Sequence, residues 1–167
     1  MASNPKPVQV LQPGLRDFGG LAEFSGQVTT IKCYESNPMV RKTLCENGYG
    51  RVLVIDGGAS MRCAIIGDLL TELAAKNNWS GIVVNGCVRD TSEICNFDVG
   101  IKALAANPLK PGKRDMGQRD VPVCVCGVTI NPGDWLYADT DGVIISPNEL
   151  VLPEGGPTEK IGLTIPE

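Results

Sequence analysis

The stretch Val83–Glu93, VVNGCVRDTSE, begins as an apolar run and ends with three charges in five residues, Arg89, Asp90 and Glu93. A short continuous apolar run is the pattern of a strand buried on both faces, as in a parallel sheet covered by helices. Such a strand is predicted over Gly81–Val88, so Arg89-Asp90 stands where it leaves the core. In α/β units, ligands gather at the carboxyl ends of strands and at helix N-termini. The charges after Val88 are therefore either a surface turn or part of a site.

The preceding unit has the same form. Met61–Ile66 is short, apolar and extended, and Gly67-Asp68 then opens LLTELAAKNNW. Leu69, Leu70, Leu73 and Ala74 are expected on one face of a helix, with Glu72 and Lys76 on the other. The first N–H groups of a helix lack intrahelical acceptors and sit at the positive end of its dipole. The amides of Leu69 and Leu70 are thus expected to be free for a carboxylate. Parallel neighbours would bring Gly67–Leu70 and Arg89-Asp90 to one edge, with Glu93 on the same side if a helical turn begins there. An Arg fork and two amides suit a small carboxylate, and two aspartates suit a hard cation that keeps several waters. The plainer alternative makes Asp68 a helix cap and pairs Arg89 with Glu93 on the surface.

Outward from these units, Phe24–Tyr34 reads as a strand and Asn37-Pro38 as the start of a short helix reaching about Glu46. Arg51–Ile55 is a buried strand ending in the glycine turn Asp56-Gly57-Gly58, and residues 98–105 hold another strand. The last third is β-rich: Val121–Cys126 and Val128–Ile130 flank a glycine, and Trp135–Ala138 and Gly142–Ile145 flank the turn Asp139-Thr140-Asp141. Alternating elements followed by hairpins predict a single mixed α/β domain over 9–152, with parallel crossovers in the middle and antiparallel C-terminal strands. Residues 1–8 and 153–167, rich in Pro, Gly and charge, are expected to be flexible ends.

Composition narrows the chemistry. The chain has 167 residues, 43% of them hydrophobic, enough for one domain with a sizeable core. Its net charge of −4 and pI near 4.9 argue against direct nucleic-acid binding. No apolar run approaches a membrane span, and the N-terminus lacks the pattern of a signal peptide. Seven cysteines, mostly in apolar segments, fit a reduced, cytoplasmic protein. Cys124-Val125-Cys126 is read as part of a strand whose thiols are packing groups rather than a metal motif. There is no histidine, which excludes Ser-His and Cys-His catalysis and any His-bound zinc. A metal would be held by oxygens, pointing to magnesium, manganese or calcium.

Other candidates are weaker. Asp56–Ser60 reads as a tight turn rather than a nucleotide loop, and Asp139–Gly142 as a hairpin turn rather than a calcium loop. Lys110–Asp120 is a mixed-charge, solvated connection. Lys32 and Lys102 lie in strand-like segments, where a Schiff-base role is conceivable but outward pointing is the usual reason for a lysine.

The segments GRVLVIDGGASMRCAIIGDLL, NNWSGIVVNGCVRDTSE and GDWLYADTDGVIIS closely resemble the family of regulator of ribonuclease activity A, which includes 4-hydroxy-4-methyl-2-oxoglutarate aldolases. The resemblance runs from about Val8 to Ser146. It implies an α/β fold of the β/β/α swivelling type and a divalent-metal aldolase, with Mg2+ or Mn2+, that yields pyruvate and also decarboxylates oxaloacetate. Arg89 matches the family's pyruvate-binding arginine, Asp90 its metal aspartate and Asp68 the second acid near the metal. Gly67, Asp68, Leu69 and Leu70 match the loop whose Leu69 and Leu70 amides hold the substrate carboxylate, and Glu93 matches the motif's final acid. The ribonuclease inhibitors of the family tend to lack that acid, so Glu93 favours the aldolases over a binding protein docked on a ribonuclease or RNA helicase. The resemblance further implies a homotrimer or hexamer with sites between subunits. Family members usually begin with another helix bearing an acidic, threonine-led segment, and this sequence starts after it; weaker activity is expected if that helix completes a neighbour's site.

Overall fold

A computed structural model of the chain describes residues 7–151; the predicted tail 153–167, and residues 1–6 of the predicted N-terminal segment, lie outside the described residues. In chain order the first elements are β1 (Gln9–Val10), β2 (Arg16–Asp17), β3 (Phe24–Lys32), α1 (Pro38–Leu44) and β4 (Val52–Asp56). Next come β5 (Ala64–Ile66), α2 (Asp68–Lys76), β6 (Gly81–Val88), α3 (Thr91–Ile94) and β7 (Gly100–Ala106). The C-terminal third contributes β8 (Gln118–Arg119), β9 (Val123–Val125), β10 (Val128–Ile130), β11 (Trp135–Ala138) and β12 (Val143–Ser146).

The main sheet runs β1-β12-β11-β3-β4-β6-β7-β2, with β5 beside the end of β6 and β8 beside β3. The pairs β3–β4, β4–β6, β6–β7 and β5–β6 are parallel. Those involving β11, β12, β1, β2 and β8 are antiparallel. The expected middle of parallel crossovers and antiparallel end are therefore both present. Strand β3 explains how they join: its first half, Phe24–Gln27, pairs with β11, and its second half, Val28–Lys32, pairs with β4. One nine-residue strand serves two neighbours, and the sheet curls around it.

Alternation along the strands divides the core in two. Ile31, Leu53, Ile55, Ile82, Val84 and Ile101 face the helices, where they meet Val40, Leu44, Leu70 and Ala74. Phe24, Val52, Val54 and Val83 face the C-terminal strands and meet Val125, Ile130, Leu136 and Ile145. The helical layer is fixed by polar contacts as well. The Asn77 side chain donates to the Leu44 carbonyl at 2.8 Å, and the Trp79 indole N–H donates to Glu46 O at 3.0 Å.

Two expectations about cysteine are corrected. Cys124 is exposed and is no core packing group, and Cys126 lies in the β9–β10 turn at φ 45° rather than on the strand, though partly buried there against the core of the C-terminal strands. Cys33, Cys63 and Cys87 are buried as expected. Burial, followed by the charges of Asp115 and Asp56, pushes the Cys33 thiol up to about 12.

A candidate anion and metal site at two adjacent loops

Strand β6 delivers Arg89 and Asp90 at its carboxyl end, and the neighbouring parallel strand β5 delivers Gly67 and the start of α2. The two loops are joined directly. The Arg89 N–H donates to Ile66 O at 2.9 Å, and the Asp68 N–H donates to Asp90 Oδ2 at 3.1 Å. Gly67 has no room for a side chain: a Cβ there would lie 2.7 Å from Asp90 Oδ2 and 3.0 Å from Arg89 Nε. The absent side chain is what lets the arginine and the aspartate close over the helix N-terminus.

Asp90 adopts a left-handed backbone, φ 56° and ψ 42°, and stands at the N-cap of α3. That reversal starts a helical turn at once, with the N–H groups of Glu93 and Ile94 both donating to Asp90 O. The helical turn on which Glu93 depended is thus present. Its side chain is exposed, however, and Arg89 pairs with Asp90 at 3.1 Å instead of with Glu93.

Two readings of α2 need correction. Leu69 is 60% exposed, and Thr71 takes the inner place, its hydroxyl donating to Gly67 O at 2.8 Å. The inner face follows Leu70 and Ala74, one turn apart, and a hydroxyl satisfied by its own helix packs there without penalty. Nor is the Leu69 amide free, because it donates to Asp68 Oδ1 at 2.8 Å. Only the Leu70 N–H, of the two amides, lacks an acceptor among the described residues. The protein's own carboxylates thus occupy part of the helix N-terminus, the positive end of its dipole.

The oxygen donors at these loops are two aspartates, Asp68 and Asp90. No cluster of three or more Cys, Asp or Glu is placed to hold an ion among the described residues, which argues against an all-protein cage. The Asp90 carboxylate, which accepts the Asp68 backbone amide at 3.1 Å, is an oxygen donor of the kind that holds a magnesium-like ion otherwise bound by water.

Beside these loops lies a pocket of about 180 Å³, lined by Gly67, Leu69, Leu70 and Arg89, and by Asn37, Arg41, Lys110 and Lys113. Sequence reasoning missed the last four. Asn37 was read as a helix cap, but its side chain makes no cap bond and donates instead to Ile65 O at 3.0 Å, tying α1 to β5. The Lys110–Asp120 segment is mostly exposed, as a solvated connection should be, and is anchored by backbone bonds, Ala64 N–H to Leu109 O at 2.9 Å just before it and Gly112 N–H to Glu35 O at 2.8 Å within it. The available signal was a run of cations in an acidic chain.

The two strand lysines differ. Lys32 is exposed, whereas Lys102 is buried, contrary to the usual outward placement, and pairs with Asp17 on β2 at 2.8 Å. It lines none of this pocket. Asp139 accepts from the N–H groups of Asp141 and Gly142, closing the β11–β12 hairpin turn as expected.

Comparison with known proteins shows what the chain is similar to. The family profile described as RraA-like, Aldolase/RraA, matches residues 4–145. A protein of Alkalilimnicola ehrlichii named "Putative 4-hydroxy-4-methyl-2-oxoglutarate aldolase" is 54% identical over 144 residues, 86% of this chain and 89% of its own length. One of the same name from Pseudomonas syringae pv. tomato is 51% identical over 150 residues, 90% and 93% of the two chains. The solved structure of the RNA-processing inhibitor RraA from Thermus thermophilus superposes with a TM-score of 0.83 at 43% identity, covering 89% of this chain and 88% of that one.

Proposed function

The chain belongs to the RraA-like family, and from that membership and its two joined loops we propose a divalent-metal-dependent aldolase. Its substrate in this reading is 4-hydroxy-4-methyl-2-oxoglutarate or a similar 4-hydroxy-2-oxo acid, cleaved to pyruvate, and oxaloacetate decarboxylation is a side activity. The observation that carries the reading is the 3.1 Å bond between the Asp68 amide and the Asp90 carboxylate, which makes one site of two loops.

Asp90, with Asp68 through water, would hold magnesium or manganese. Such an ion, when bound, polarises the substrate's 2-oxo group. The chain's own residues then do the rest. Arg89 presents a planar fork to the oxo-acid oxygens, where its charge stabilises the enolate left as the C3–C4 bond breaks. The Leu70 N–H receives the carboxylate, joined by the Leu69 N–H once the Asp68 carboxylate turns away. Loss of carbon dioxide from oxaloacetate needs the same enolate, so one site serves both reactions. Glu93 orients water or Arg89 at the mouth. Without histidine, the protons of the 4-hydroxyl and of the new methyl group are exchanged with water.

The pocket is smaller than most small-molecule sites and open, with Leu69 and Leu109 exposed beside it. A neighbouring subunit in a homotrimer or hexamer would supply the missing wall. Light scattering should give a trimer or hexamer whose activity falls on dilution; a fully active monomer would refute this assembly.

The deciding assay is pyruvate release from 4-hydroxy-4-methyl-2-oxoglutarate with added magnesium and then with a chelator. No pyruvate under either condition sinks the aldolase reading. The 43% identity to an RNA-processing inhibitor supports a second reading, a regulator docked on a ribonuclease. Dose-dependent inhibition of a purified ribonuclease, by protein that makes no pyruvate, would establish it.

A further inference from the structure

We propose that a second pocket, at the carboxyl ends of β3 and β4, binds a small zwitterion: an α-amino acid with an apolar side chain. It shares no lining residue with the pocket beside α2, so the proposal does not rest on the aldolase reading.

The cavity holds about 400 Å³, within the range of small-molecule sites, and lies where two parallel strands leave the sheet. Its charged lining is Lys32, Asp56 and Asp115. Lys32 and Asp56 end their strands directly opposite each other in the register. Neighbouring strands lie about 4.8 Å apart, near enough for an ion pair, yet neither residue makes one among the described residues. Asp56 Oδ1 accepts instead from the Gly58 N–H at 2.9 Å and from Asn85 Nδ2 at 3.0 Å. Its Oδ2 accepts no bond among the described residues, although Asp56 is only 9% exposed. A carboxylate so far withdrawn from water is costly until a donor reaches its open oxygen. An ammonium group brings three such donors.

The other walls suit the rest of the ligand. Asp115 is fixed by the N–H groups of Gly117 at 2.9 Å and Tyr34 at 3.2 Å, which hold its carboxyl below the usual range. The charges of Asp115 and Asp56 both reach the Cys33 thiol, so the two carboxylates converge on one end of the cavity. Tyr34 is 55% exposed, and its ring lies over Gly58, where a Cβ would stand 2.9 Å from ring Cδ2. That ring and the protonated Cys33 form an apolar bed. An ammonium toward the aspartates, a carboxylate toward Lys32 and an apolar group on Tyr34 satisfy every wall at once. A bare divalent cation does not: it is repelled by Lys32, and no cluster of three or more Cys, Asp or Glu is placed to hold one among the described residues.

The test is calorimetric titration with L-leucine and with its two singly charged analogues, 3-methylbutylamine and 4-methylpentanoate. Wild type should bind leucine at least about tenfold more tightly than either analogue, the scale of one charge-assisted hydrogen bond. Asp56→Asn keeps an oxygen for the Gly58 N–H; it should weaken leucine and the amine about tenfold and leave 4-methylpentanoate within about threefold. Lys32→Met should do the reverse, weakening leucine and 4-methylpentanoate and sparing the amine. Asp115→Asn replaces Asp56→Asn if that variant melts early. Asp90→Asn, at the other pocket, should leave leucine affinity within about threefold. Leucine that binds wild type no more tightly than both analogues overturns the proposal. So do variants with unchanged melting that weaken all three ligands equally, or none. Pyruvate release from 4-hydroxy-4-methyl-2-oxoglutarate, measured on the same wild-type protein, judges the aldolase reading separately.

Discussion

Arg89–Asp90 and Lys102–Asp17 are the same kind of pair, one basic and one acidic side chain, the first just beyond the end of β6 and the second between the neighbouring strand β7 and β2. Arg89 and Asp90 are adjacent in sequence, both side chains are about a quarter exposed, and Arg89 lines a pocket. Lys102 is 3% exposed, and its partner lies far away in sequence on β2, directly opposite in the strand register. The first pair leaves charge where a ligand can reach it. The second fixes a two-residue edge strand against β7 and covers that edge of the sheet. Under the aldolase reading, charge pairs of one chemistry divide between function and architecture according to whether solvent reaches the basic partner.

Breaking the functional side should have the largest effect. Asp90→Asn should lower pyruvate release by about a hundredfold or more, as should a chelator, because either change weakens the proposed metal site. Thermal melting should be unchanged for the variant, and normal turnover in folded Asp90→Asn would end its assignment. Arg89→Lys should cost at least about tenfold in turnover, since a point charge cannot reproduce the fork. Borohydride added with substrate should trap no lysine adduct. An adduct at Lys102 would erase the distinction between the pairs.

The architectural pair should show the opposite signature. Asp17→Ala leaves a buried ammonium without its counter-charge and should lower unfolding free energy by about 3 kcal/mol in denaturant titration. Lys102→Met leaves only a carboxylate that water can reach and should cost about 1 kcal/mol. KM should be unchanged in both. A loss of substrate affinity without a loss of stability would move this pair to the functional side.

The smallest effect concerns thiols. The folded state holds the Cys33 proton where the unfolded chain, with an ordinary value of 9.0, has lost it. Stability from this group is therefore intact below pH 9 and declines as pH rises toward about 12. At pH 8, iodoacetamide should label exposed Cys45, Cys95 and Cys124, spare Cys33 and leave activity intact. Rapid inactivation would bring a thiol into the chemistry.

The central strands and the meeting of the two loops were legible because apolar runs and parallel crossovers are local and strongly constrained. Leu69 was misassigned because a leucine count ignores where the helix axis points, and Thr71 competes for the inner face through its own hydrogen bond. Strands β1, β2 and β8, of two residues each, carry no periodicity, so the partner of Lys102 was invisible. Arg41 is far in sequence from Lys110 and Lys113, and they meet only through tertiary bonds to β5 and Glu35.

The left-handed backbone at Asp90 bears on how such a protein changes over generations. Glycine, asparagine and aspartate are the residues that enter that conformation most readily. Aspartate is the only one of the three that brings a negative charge. Asparagine keeps the turn and an oxygen for the Asp68 amide, so exchanging that carboxylate for an amide costs the fold little. Under the aldolase reading it costs the chemistry nearly everything. A lineage can therefore leave catalysis, or return to it, through one side-chain atom, with chaperones and proteases registering no difference.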